Sequence, residues 1–152
     1  MATRSEIAIE NADGSIKSVY CHSDGYIKYL GVMLKKHYNN FDKASSIINE
    51  NDCSVLKPTI KQSRFYNSWR GEDTKSKHFP NEYTFMKYFQ KDIFAEYIYL
   101  FKDDQWHVSK LIVTDNPNEN YYHCLSYRTK FERLMINKHQ YKWFDDVILG
   151  GG

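Results

Sequence analysis

The stretch AEYIYLFKDDQWHVSKLIV, residues 95–113, decides the fold of this chain. Two runs rich in aromatic and β-branched residues flank Asp103-Asp104, which is the pattern of two strands joined by a tight turn. Tyrosine and phenylalanine share one face of the first run, whereas isoleucine and leucine fill the other. Because both faces are apolar, we expect this hairpin to form the buried centre of a sheet.

The N-terminal segment predicts a second hairpin. Residues 4–10 alternate between polar and apolar side chains, and residues 16–21 alternate again. The pair Asp13-Gly14 lies between them and favours a tight turn. Two hairpins therefore supply the strands that we expect in an antiparallel sheet.

Helical periodicity follows the first hairpin. Residues 26–38 place their large apolar side chains within one arc of a helical wheel, which predicts an amphipathic helix with Ser23 or Asp24 as its N-cap. A second, shorter helix is expected over residues 41–51, capped by Asp42. Both helices have an apolar face to bury against the sheet.

The remaining segments complete one domain. Residues 60–82 are irregular and predict a long loop, a short helix is expected over 81–90, and residues 121–146 favour a strand followed by a helix. The fold class is therefore α+β, with an antiparallel sheet that carries helices mainly on one face. We expect a single domain over residues 1–149 and a flexible glycine tail over 150–152.

Composition narrows the class of partner. The 152 residues carry a formal net charge of +2, which excludes an acidic mimic of DNA and argues against bulk, non-specific DNA binding. No apolar run approaches the length needed to cross a bilayer, and the N-terminus lacks the order of a secretory signal. We therefore expect a cytoplasmic protein without a membrane partner.

The cysteines and histidines predict neither a disulfide framework nor a metal site. Cys21, Cys53 and Cys124 are an odd number without paired short spacing, which favours reduced thiols. Cys21 precedes His22, and His123 precedes Cys124, but neighbouring residues of a strand point to opposite faces. Each pair offers one ligand to a shared site, fewer than zinc requires, and nothing in the sequence calls for another cofactor.

The predicted loop 60–82 holds the densest group of polar and aromatic side chains. Arginine clamps carboxylates or phosphates, and tyrosine and tryptophan stack on bases or anchor protein interfaces. The structural explanation is that Arg70 pairs with an acidic neighbour and so holds the loop in place. The candidate binding residues are Arg64, Tyr66, Trp69, Arg70, Glu72 and Asp73.

A catalytic alternative uses part of the same set. His22 and Asp24 lie where the second strand meets the predicted helix, and they would form an acid–base pair if both faced one cleft. The structural explanation is that Asp24 caps the helix while His22 bonds a backbone group. If the chain is an enzyme, we expect His22, Asp24, Arg70 and Glu72 to converge.

Several landmarks resemble a family of small phage and prophage proteins. The opening MATRSEIAIEN of residues 1–11 is similar to the start of that family, as is VYCHSDGY over residues 19–26. Residues 70–73, RGED, and residues 95–101, AEYIYLF, followed by Trp106, are similar to its later landmarks. The resemblance implies a setting in a phage-infected bacterium and no particular chemistry.

Two classes of function follow. The first is a phage accessory protein that acts by binding, either by inhibiting a bacterial host protein or defence complex, as anti-CRISPR proteins do, or by sequestering a nucleotide signal. The second is a small enzyme that acts on a nucleotide or nucleic acid. The absence of a phosphate-binding glycine loop, a nucleophile elbow or a zincin helix favours the first class. The oligomeric state is left open.

Overall fold

The computed structural model of the chain describes residues 2–90, 94–114 and 125–150. A π-helical turn, Ile27–Gly31, leads directly into the first helix. The strands of the described residues are β1 Ser5–Glu10, β2 Ile16–Cys21, β3 Cys53–Val55, β4 Arg64–Phe65, β5 Lys77–Phe79, β6 Tyr97–Lys102, β7 Gln105–Thr114, β8 Leu125–Arg128 and β9 Glu132–Arg133. The helices are α1 Val32–His37, α2 Phe41–Asn49, α3 Tyr66–Arg70, α4 Glu82–Phe89 and α5 Lys138–Gly150.

The strands form one mixed sheet with β1 near its middle. The order is β4-β3-β2-β1-β6-β7-β8, with β5 also paired to β2 and β9 to β7. The α+β class is confirmed, but the expectation of an antiparallel sheet is wrong because β1 pairs in parallel with β6 and β2 pairs in parallel with β3. Between β2 and β3, the π-turn, α1 and α2 return the chain to the sheet in its original direction, as parallel pairing requires. Strands β1 and β6 are separated by a much longer stretch that includes β2 to β5.

Both predicted hairpins are confirmed. Strands β1 and β2 pair antiparallel from Ser5 with Cys21 to Glu10 with Ile16, and the turn places Gly14 at a φ of +86°. Strands β6 and β7 are joined by Asp103 and Asp104, whose φ values are +52° and +60°. Two consecutive positive φ values give a turn whose twist matches that of the flanking strands.

Two hydrophobic clusters cover the two faces of the sheet. The larger one packs the π-turn, α1, α2 and α5 against the face that carries Ile7, Val19 and Tyr99. The smaller one packs α4 against the face that carries Ala8 and Leu100. Because both clusters share the same central strands, the described residues form a single domain with helices mainly on one face.

The first helical segment differs from its prediction. It begins as a π-turn at Ile27, its N-cap is Tyr26, and no side chain caps it. The predicted capping by Ser23 or Asp24 is therefore wrong, since Asp24 lies two residues before the N-cap and adopts a positive φ of 57°. The backbone of the next residue, Gly25, instead donates to the carbonyl of Thr3 at 2.9 Å.

Asparagine caps the next two long helices. The side chain of Asn40 accepts from the Lys43 amide and begins α2, so the predicted cap Asp42 lies in the first turn of that helix. The side chain of Asn81 accepts from the Thr84 amide and begins α4, close to the predicted start. In both helices an amide oxygen satisfies a backbone N–H that the helix itself leaves unpaired.

Two other predictions are corrected by short elements. Residues 60–82, predicted to be a loop, contain β4, α3 and β5. The final predicted helix is displaced, because β8 and β9 precede it and α5 begins only at Lys138. Gly150 is the last residue of α5, and the other two glycines of the predicted tail lie outside the described residues, as do residues 121–124 of the predicted strand. None of the described helices is both long and apolar enough to cross a bilayer.

Candidate functional site

Four of the six predicted binding residues form one surface cluster on β4 and α3. Two guanidinium groups lie over the ring of Trp69, that of Arg64 at 5.1 Å and that of Arg70 at 4.4 Å from its centroid. The Arg70 guanidinium also lies 5.5 Å from the ring of Tyr66. We call Arg64, Tyr66, Trp69 and Arg70 the arginine–tryptophan cluster.

Local structure explains why this cluster faces outward. Phe65 is buried in the larger core and fixes β4, so the residues on either side of it turn away from the sheet. The short helix α3 then ends at Gly71, which adopts a φ of +68°. Glycine suits this position because a left-handed residue after a helix carries a steric penalty for other side chains. The indole of Trp69 remains 44% exposed.

Amide side chains hold the loop after α3. The side-chain oxygen of Asn67 accepts from the backbone N–H of Thr74 at 2.8 Å and from its hydroxyl at 2.6 Å. Asn67 also donates to the carbonyl of Thr74, and the Thr74 hydroxyl accepts from the Asp52 amide. The loop is therefore closed by hydrogen bonds that involve neither Arg70 nor the acidic residues predicted to pair with it.

The two acidic members of the predicted site lie at its margin. The nearest oxygen of Glu72 is 3.9 Å from the Arg70 guanidinium, and both side chains are about half exposed. Asp73 instead forms an exposed ion pair with Lys75 at 3.3 Å. Exposed pairs of this kind contribute little to stability, about 0–1 kcal/mol, so the pair with Glu72 does little to hold Arg70 in place.

The cluster is equipped to bind anions. Among the described residues, no carboxylate forms an ion pair with Arg64. A guanidinium presents its donors in a planar fork that matches a carboxylate or phosphate, and an aromatic face holds that fork in place. The arrangement therefore supports recognition of negative charge next to a flat apolar surface.

The structure separates the four residues of the catalytic alternative. Asp24 lines a cleft of about 450 Å³ with Tyr26 and Lys57. His22 lies beside Tyr20 at the end of β2, while Arg70 and Glu72 lie on and after α3. None of the four clefts found among the described residues is lined by more than one of these four side chains.

His22 belongs to a different group, which sequence reasoning missed. Its Nδ1 lies 2.7 Å from the hydroxyl of Tyr20. Burial raises the pKa of Tyr20 most, and the neighbouring Arg4 opposes this shift. The register of the β1–β2 hairpin predicts that these residues are neighbours. Glu6 pairs with Tyr20, so Arg4, two residues before Glu6, and His22, two residues after Tyr20, lie side by side on the same face of the sheet.

The thiols of the described residues belong to the core. Cys21 and Cys53 pair across β2 and β3, and both are buried. The pKa of Cys53 is raised by its hydrogen bond with Cys21 and by burial, so this thiol stays protonated and unreactive. The described residues contain no group of three or more side chains suited to a metal ion, and the predicted pair His123-Cys124 lies outside them.

Comparison with known proteins identifies no relative of this chain. No protein-family model, no curated protein and no solved structure matches the chain.

Proposed function

We propose that this protein acts by binding, and that the arginine–tryptophan cluster recognises an acidic surface on a bacterial host protein, which it inhibits. The single observation that carries this proposal is the exposed ring of Trp69 with two guanidinium groups over it. Tryptophan, tyrosine and arginine are the residue types that most often dominate the energy of protein interfaces. The setting, an accessory protein of a phage, rests on the resemblance of residues 1–11 and the later landmarks.

The shape of the surface favours a macromolecule over a nucleotide. Small ligands are usually held in concave pockets that bury most of their surface. None of the four clefts found among the described residues includes a residue of the cluster. A surface outside these clefts that carries two arginines and two aromatic rings is better matched to the acidic surface of a protein, which buries area over many contacts.

The first test is affinity capture from a bacterial lysate, followed by titration of the recovered protein with purified variants. We expect Trp69→Ala to weaken the affinity at least roughly 30-fold, which corresponds to a hot-spot cost of about 2 kcal/mol. Its melting temperature should stay within a few degrees of the wild-type value because the ring is on the surface. Arg70→Ala should weaken binding as well, and added salt should weaken the wild-type complex.

Tyr83→Ala is the matched control, because Tyr83 is an aromatic residue exposed on α4, outside the cluster. It should bind as the wild type does. Equal affinity of the wild type and Trp69→Ala would contradict the proposal, as would recovery of a nucleotide in place of a protein.

A further inference from the structure

The largest of the four clefts found among the described residues has a volume of about 450 Å³ and is lined by two side chains of opposite charge. Asp24 lines it after β2, and Lys57 lines it after β3. We call it the Asp24–Lys57 cleft. Its volume lies within the range of about 300–1,000 Å³ that is usual for the sites of small ligands.

The two charges of the cleft are available to a ligand. Within the part of the chain that the structure describes, neither Asp24 nor Lys57 forms an ion pair. Burial raises the pKa of Tyr26 and Tyr29 most, and the Asp24 carboxylate raises both further, so its charge lies near these two rings of the cleft. Each charge can therefore bind a group of the opposite sign with little competition from the protein.

A neighbouring amide adds a donor on the Lys57 side. Gln62 also lines the cleft, and its Oε1 accepts from the Thr59 hydroxyl at 3.0 Å. The amide N–H groups of Gln62 can thus donate to a ligand, as the Lys57 ammonium can. Because a carboxylate accepts several hydrogen bonds, Lys57 and Gln62 together suit one carboxylate.

Apolar side chains supply another wall of the cleft, and the core holds that wall in place. Val147 and Ile148 line it from the last turns of α5, together with Tyr29. The Tyr29 hydroxyl donates to the carbonyl of Leu56 at 3.1 Å, and its ring lies 5.9 Å from that of Phe144 on α5. The cleft therefore offers a fixed apolar surface beside its two charges.

The backbone at Asp24 is also held in place. The amide of the next residue, Gly25, donates to the carbonyl of Thr3 at 2.9 Å, and its carbonyl accepts from the Tyr99 hydroxyl at 2.7 Å. Asp24 itself has a φ of +57°, a conformation that aspartate and asparagine adopt more readily than most other residues. Asp24→Asn therefore removes the charge and keeps the backbone.

These features match a ligand that carries an ammonium group, a carboxylate and an apolar body. We propose that the Asp24–Lys57 cleft binds an apolar amino acid or a short apolar peptide as a zwitterion, with its ammonium group on Asp24 and its carboxylate on Lys57 and Gln62. The apolar side chain of the ligand packs against Val147 and Ile148. A ligand with only one of the two charged groups would leave the other charge of the cleft without a partner.

The test is a nuclear magnetic resonance titration of the full chain, labelled with ¹⁵N, with L-phenylalanine and, separately, with the dipeptide L-leucyl-L-phenylalanine at neutral pH. A zwitterion that fits should shift the amide signals of Gly25, Gln62 and Ile148 saturably, and the tighter probe gives the length of the ligand. The N-acetyl and C-terminal amide forms of that probe each lack one charge. Each should bind at least about tenfold more weakly, as expected when a charged hydrogen-bonding partner is lost.

Variants assign the two charges. Asp24→Asn and Lys57→Gln should each weaken the zwitterion about tenfold or more, with melting temperatures close to that of the wild type. Asp103→Asn is the control for the first, because Asp103 also has a positive φ, 52°, but lines a different cleft. Lys61→Gln is the control for the second, because Lys61 is exposed and does not line the Asp24–Lys57 cleft.

Three outcomes would overturn the site: no saturable shift with either probe, equal affinity for the zwitterion and for either of its singly charged forms, or equal weakening in a control variant. Trp69→Ala should bind the probe as the wild type does, since Trp69 does not line the cleft. The zwitterion site and the proposed host-protein surface therefore succeed or fail independently.

Discussion

Among the described residues, Glu6 is the charged side chain that the fold buries most completely, with 2% of its surface exposed. The Ser18 hydroxyl donates to its carboxylate at 2.6 Å, and the Lys77 ammonium lies 3.1 Å away. Burial nevertheless dominates and raises the pKa of Glu6 above its ordinary value, with Lys77 and Ser18 opposing the shift. The ionised carboxylate is therefore a net cost to the folded state.

This cost predicts a pH dependence of stability. Between the ordinary pKa of a glutamate and the raised pKa of Glu6, the folded state binds more protons than the unfolded state, so stability falls as pH rises through that window. Glu6→Gln keeps an acceptor for Ser18 and removes the titration. The free energy of unfolding of Glu6→Gln, relative to the wild type, should therefore increase as pH rises through the window. Urea denaturation at a series of pH values measures it, and a pH-independent difference would contradict the assignment.

At the scale of elements, short segments account for most of the differences between sequence and structure. Strands β4 and β5 contain two and three residues, so their own sequence carries no usable periodicity, and they exist because neighbouring strands pair with them. The prediction for residues 121–146 fails for the same reason, because Leu134 follows the two-residue strand β9. Its side chain is buried in the larger core and its amide donates to the carbonyl of Trp106 beside β9.

Helix α5 contributes one fully buried ring to the larger core. Phe144 is fully buried, 5.9 Å from the ring of Tyr29 and 6.1 Å from that of His37. Phe144→Ala should therefore lower the free energy of unfolding by about 3–5 kcal/mol, as expected for a buried phenylalanine. The neighbouring Asp145 forms an exposed ion pair with Lys36.

Asp145→Asn serves as the matched control for α5 and should cost less than about 1 kcal/mol. Chemical denaturation of both variants measures the difference. Similar losses in the two variants would mean that charge, and not the buried ring, fixes the helix.

At the scale of the whole molecule, the two cores share their central strands. The rings of Phe79, Phe85 and Phe89 lie within 5.0–6.2 Å of one another on one side of the sheet. Trp106 is buried on the other side, where its indole donates to the carbonyl of Tyr38 at 2.8 Å. Loss of packing on one side should therefore unfold both sides together.

Phe85→Ala tests this coupling. It should lower the stability by about 3–5 kcal/mol, and tryptophan fluorescence, to which Trp106 contributes from across the sheet, should change at the same temperature as far-ultraviolet circular dichroism. Tyr83→Ala changes an exposed ring on the same helix and should leave the melting temperature nearly unchanged. Two separate transitions would show that the cores unfold independently.

The sequence predicted those features that depend on neighbouring residues. Both hairpins, α4 and the arginine–tryptophan cluster lie within short stretches, so periodicity and composition were enough to locate them. The parallel pairing of β1 with β6 depends on contacts between distant residues and was missed. The grouping of Arg4 with His22 was missed for a related reason, because it appears only when the register of the hairpin is known.

The parallel pairing of β1 with β6 also bears on synthesis. Ser5 pairs with Tyr97, so β1 leaves the ribosome about 90 residues before the strand that completes it, which takes about 5–20 s at ordinary rates of translation. During that interval β2 protects one edge of β1, while the other edge of this apolar strand stays open to foreign strands. The growing polypeptide is therefore exposed to aggregation until β6 has been synthesised and pairs with β1.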